Sequence, residues 1–127
     1  ELDAGDFISR QSSLRELDKR SPQSFSALLR GPQSLGGLLE ARGIASIPSP
    51  AHPSPGGNPY YNGAYSVETH GSREHGTVSA LQIECPFKNV REKKESREKF
   101  SAALCGALED FFRVHFGTSL KNAGASQ

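Results

Sequence analysis

Apolar positions along the chain recur with two periods. Near the C-terminus Phe100, Ala103, Leu104, Ala107, Leu108, Phe111, Phe112 and His115 return at helical spacing. That predicts a helix over residues 92–116 with one continuous apolar stripe, ended by Gly117. Residues 78–84, VSALQIE, are short and aliphatic and lie between Gly76 and Pro86, the marks of a buried or half-buried strand. Upstream, Ser13-Leu14-Arg15-Glu16 fits a capping box, in which Ser holds a backbone N–H and Glu reaches back. It predicts a short helix through about Lys19. Ser21-Pro22 signals a second start, with Phe25, Leu28 and Leu29 facing one way until Gly31. Pro32 opens a third helix over 32–42, with Leu35, Leu38 and Leu39 inward and Gly43 as its cap. Residues 44–47 read as a short buried strand and Tyr65-Ser66-Val67 as a brief one. The alternation of the two patterns predicts an α/β fold: a small mixed sheet centred on 78–84, flanked by the helices near 32–42 and 92–116.

Composition thins this picture. The 127 residues suit a single small domain over 1–127, yet only 35% are hydrophobic, with 13 Gly and 8 Pro, so the chain is loop-rich around a thin core. Proline concentrates in IPSPAHPSPGG, residues 47–57. Proline removes a donor, so this stretch stays out of a central sheet and forms a surface loop. Small polar residues over 118–127 predict a disordered tail. With 15 basic and 14 acidic residues the net charge is +1, which gives no general attraction to nucleic acid or a membrane surface. The mixed-sign run over 91–99 reads as a solvated helix face. Two cysteines, Cys85 and Cys105, make no framework, and a bridge and two buried thiols both remain open. A chain beginning at Glu1 reads as an excised fragment or a processed product, and the latter leans towards secretion.

Candidate chemistry is sparse. His52, His70, His75 and His115 show no HExxH or HxxE spacing, and no CxxC is present. His70 and His75, five apart in a loop, could approach a common metal but read first as surface histidines. There is no GxSxG elbow and no phosphate-binding loop, and no spacing points to a Ser-His-Asp set. A polar turn carries Tyr60, Tyr61 and Tyr65 around Asn62-Gly63, residues that tolerate positive φ. Glu84 stands at the end of the predicted strand, the place where open α/β sheets bind ligands. Its plain reading is a solvated charge.

The segments YNGAYSVETHGS (61–72) and SALQIE (79–84) resemble the C-terminal half of the N-formylglutamate amidohydrolase family. That family carries a Tyr-x-Gly-Gly-Tyr turn, a Thr-Arg step and a strand ending in Gln-Ile-Glu. Residues 31–50 and the helix after Phe87 are similar to what flanks the turn, so the resemblance spans most of 10–117. It implies half of a phosphorylase/hydrolase-like α/β fold and hydrolysis of an N-acylated amino acid by zinc-activated water. In that frame Glu84 is the general base, and Tyr61, Tyr65 and His70 lie where substrate is bound. Two departures weigh against catalysis. The family's metal-ligand motifs precede the matched region and have no counterpart here, so zinc enters only if a partner chain supplies its ligands. Val67-Glu68-Thr69 replaces the Thr-Arg step, and Glu68 repels an anionic substrate that arginine would clamp.

Two functions follow. One is a non-catalytic structural or self-assembling scaffold, such as a matrix, filament or mineral-associated protein. Its open sheet edge would be covered by another copy or by the N-terminal remainder of a precursor. The other is one chain of a processed zinc amidohydrolase with Glu84 as its base.

Overall fold

Helices carry the regular structure of this chain, whose computed structural model describes residues 12–58, 63–73 and 75–121. They are α1 (Arg15–Arg20), α2 (Phe25–Arg30), α3 (Leu35–Glu40), α4 (Tyr65–His70) and α5 (Lys94–Phe116). The chain divides into two compact units. One comprises Glu1–Leu28 and Gly56–Glu84, the other Leu29–Pro55 and Cys85–Gln127.

Among the described residues there is no strand, and the α/β expectation is corrected to a helical architecture. The physical reason is that a strand exists only in a ladder, and β-propensity measures fit to a pleated surface that neighbours must supply. Residues 78–86 do run without helix, turn or bend. Among the described residues the backbone that meets them is that of Ser13, whose carbonyl accepts the Ala80 N–H at 3.0 Å. Residues 44–47 likewise pair with nothing strand-like, and Ile47 is exposed. Residues 65–67 form the first turn of α4 behind Ala64 instead of a strand.

Among the described residues of the first unit the buried apolar side chains are Leu17 of α1 and Leu28 of α2. Burying a leucine is worth roughly 1.5–3 kcal/mol, so polar contacts have to define much of the geometry. Ser13 does not act as the cap expected of it: its Oγ donates to the Ala80 carbonyl at 2.6 Å. Glu16 turns to Lys19 and Arg15. The open N–H groups of α1 are met from far along the chain. Ser72 Oγ accepts from Glu16 N at 3.2 Å, Ser79 Oγ accepts from Leu17 N at 3.0 Å, and the Ser12 carbonyl accepts from Arg15 N. Ser72, fully buried, also donates to the Ser13 carbonyl at 3.0 Å. Gly71 permits this approach, since a Cβ there would lie 2.8 Å from Ser13 Cβ.

In the second unit α3 packs on α5. The cap of α3 is buried Ser34, whose Oγ accepts the Gly37 N–H at 3.0 Å, so the helix begins at Leu35 instead of at Pro32, its expected start. Gly43, with φ +75°, closes the helix as its pattern predicted, and the Ile44 N–H returns to the Leu39 carbonyl. Leu39, Ala103 and Ala107 are buried together, with Leu35, Leu38, Ile44 and Leu104 around them. The stripe on α5 thus faces inward as its spacing predicts, with Phe111 also buried. Arg42 leaves the end of α3, donates to the Leu38 carbonyl at 2.9 Å and pairs with Asp110 of α5. Gly106 makes room for it, because a Cβ there would lie 2.7 Å from Arg42 Nε. Gly117, in the left-handed region with φ +64°, ends α5, and the Thr118 N–H reaches back to the Phe112 carbonyl.

Candidate functional site

The described residues assigned by the amidohydrolase resemblance, Glu84, Tyr65 and His70, face water. Glu84 belongs to an irregular segment rather than a strand end, is exposed, and accepts a hydrogen bond from Gln82 Nε2. Tyr65 opens α4 with 76% of its surface exposed, and His70, also exposed, is its last residue. None of these three side chains hydrogen-bonds another. Tyr61 lies outside the described residues. Bulk water surrounds an exposed carboxylate and competes for any group it would serve. Glu68, the residue that departs from the family's arginine step, is exposed in the first turn of α4.

A serine, a histidine and a carboxylate do meet elsewhere, at the proline-rich loop. Glu40, the last residue of α3, accepts from Ser49 Oγ at 2.9 Å and from the Ala51 N–H at 3.2 Å. His52 Nδ1 faces the same carboxylate at 3.4 Å. Ser49 is fully buried, accepts the His52 N–H at 3.1 Å and donates its own N–H to the His52 carbonyl at 2.9 Å. Nucleophilic catalysis needs the imidazole between acid and hydroxyl, taking the hydroxyl proton. Here hydroxyl and imidazole both address the acid, and the hydroxyl proton is committed to it. The cluster is therefore a clip that folds the loop onto the end of α3. Burial pushes the Glu40 carboxyl up, but the Ala51, Ser49 and His52 contacts outweigh it and hold it below its ordinary value.

Among the described residues no group of three His, Cys, Asp or Glu side chains converges. Cys85 and Cys105 are unbridged, the first half-buried and the second exposed on α5, so neither a bridge nor a pair of buried thiols is formed.

What the described surface does offer is an open backbone beside exposed apolar side chains. Val78, Leu81, Ile83 and Phe87 are 57%, 43%, 40% and 63% exposed. From residue 81 to residue 84 no N–H or carbonyl finds a partner among the described residues. The aliphatic pattern that suggested a strand is the signal for this segment. What the pattern could not tell is that the remainder of the ladder is missing. Ser13, which anchors the start of the segment, signalled a helix cap instead, and Ser72 and Ser79 gave no signal, because a serine in a loop looks the same whether or not its hydroxyl meets a distant helix.

No protein-family model, curated protein or solved structure matches the chain.

Proposed function

We propose that this protein is a non-catalytic, self-associating structural component, a scaffold or matrix protein whose partner is another copy of itself. The observation that carries the reading is the segment over 78–84, where Val78, Leu81 and Ile83 are exposed and, among the described residues, no backbone group of 81–84 finds a partner. Unpaired strand-like backbone is a template for another chain. Exposed apolar area adds a drive for burial of about 25 cal/mol per Å². The open disposition of Glu84, Tyr65 and His70 favours this reading over hydrolysis, and the Gly- and Pro-rich composition suits a matrix or filament. Sedimentation velocity tests it over a concentration series from about 1 to about 100 µM, a range in which weak contacts of small area begin to register. The expected result is a weight-average mass that climbs with concentration. A single species at 13.7 kDa throughout the series would overturn it.

A further inference from the structure

Self-association requires a surface, and residues 78–86 are specific enough to define one. The chain there has no helix, turn or bend, and the contact between Gln82 and Glu84 sets residues two apart on one side. Leu81 and Ile83 are left on the opposite face. Backbone groups alternate in the same way along an extended chain. The Ala80 N–H and carbonyl are both taken by Ser13, which places residues 80, 82 and 84 on the edge towards Ser13. The N–H and carbonyl groups of 81, 83 and 85 then lie along the other edge. Pro86 has no N–H to offer, but its position falls on the Ser13 edge and costs an opposite ladder nothing.

Charge selects the register. Two parallel copies in register bring Glu84 beside Glu84, and like charges across a pair are destabilising. An antiparallel pair centred on Leu81 sets Glu84 against Val78, and one centred on Gln82 sets it against Ala80. Neither provides a donor for the carboxylate. Centring on Ile83 sets Glu84 opposite Gln82 of the other copy, twice over. The same register places Ile83 opposite itself and Leu81 opposite Cys85, so apolar faces apolar. Its hydrogen-bonded pairs use only the groups of 81, 83 and 85, those of the open edge.

We propose that residues 81–85 pair antiparallel, centred on Ile83, with the same residues of a second copy. This rests on the self-association reading and assigns it a place. The ladder is short, so the contact is weak and dynamic.

Disulfide trapping tests it. In a Cys85→Ser, Cys105→Ser background, Ile83→Cys and Glu84→Cys each introduce one thiol at an exposed position. Directly opposed residues of a hydrogen-bonded pair have Cα atoms about 5.5 Å apart, within the range a disulfide bridges. With oxidised glutathione as oxidant, two thiols form one disulfide as glutathione disulfide is reduced. The Ile83→Cys variant is expected to become a covalent dimer about tenfold faster than Glu84→Cys, whose thiols stay out of reach of each other. Independently, Gln82→Glu is expected to weaken association several-fold and Gln82→Lys to strengthen it at low salt. Equal trapping rates in a chain that sediments as a dimer overturn the register and leave self-association standing. A chain that sediments as a monomer and forms no trapped dimer overturns both.

Discussion

Gly36 stands where a methyl group would lie 1.9 Å from the Pro48 carbonyl oxygen, too close for any Cβ. A glycine inside a helix normally costs about 1 kcal/mol against alanine. Here it lets the loop lie against α3, where Glu40 clips it through Ser49, Ala51 and His52. Gly36→Ala would gain helix propensity yet force Pro48 away. We expect it to destabilise the protein by about 1–3 kcal/mol, the cost of overpacking a filled site, as read by urea denaturation. No change or a gain in stability would mean that the loop yields freely. The reason for Gly36 is invisible in the sequence, because its neighbour is twelve residues away. Gly43 and Gly117 are legible, since the requirement for left-handed backbone at a helix end is local.

At the scale of elements, α1 and α5 contrast. Six residues are too few to sustain a helix alone, and this helix is held at its start by hydroxyls from residues 72 and 79. Removing the Ser72 hydroxyl orphans the Glu16 N–H and takes a donor from the Ser13 carbonyl. Ser72→Ala is expected to cost about 1–3 kcal/mol, the penalty of an unsatisfied buried group. The same change should speed hydrogen exchange at the Glu16 amide more than at amides of α5. Equal acceleration in both would show that Ser72 stabilises nothing local. By contrast α5 was legible in full, stripe and stop, because a long helix repeats its message every turn. The failure of the predicted strands has the opposite cause. Residues 44–47 and 78–84 have strand composition, but strand identity belongs to a pair, and among the described residues neither run meets another strand.

For the molecule as a whole, acid is an informative perturbation. The Arg42 hydrogen bond, opposed by burial and helped by Arg113, holds the Asp110 carboxyl below its ordinary value of 3.8. Lys19 does the same for Glu16, and Ser119 and the Leu120 N–H for Glu109, both below 4.5; Glu40 is held low as well. Between the ordinary and the lowered values the unfolded chain binds more protons than the folded one, so stability falls as pH falls. These contributions are complete above the ordinary values and disappear as pH drops through the lowered ones. Thermal unfolding between about pH 7 and about pH 3 should therefore show Tm declining below about pH 4.5. Asp110→Asn should be less stable than the parent near neutrality, with the gap closing in acid; a gap independent of pH would refute the assignment. Zinc provides a separate check on function. With no converging ligand set among the described residues, equimolar zinc is expected to leave Tm unchanged. A stoichiometric rise in Tm on adding zinc would reopen a metal-dependent reading.

By itself the sequence determined what is local. It specified the apolar stripe of α5, the glycine stops at 43 and 117, the inward leucines of α3 and the exclusion of the proline-rich loop from regular structure. These follow from periodicity and backbone sterics, which act over a few residues. Tertiary structure decided what depends on distant partners: that Ser13 serves Ala80 instead of capping α1, that Ser49 and His52 converge on Glu40 without forming a catalytic set, and that Glu84 stands in water. Above all it decided that the strand-like run over 78–84 has no ladder among the described residues. Hydrogen-bond donors and acceptors are interchangeable in sequence and become specific only when folding brings one to the other.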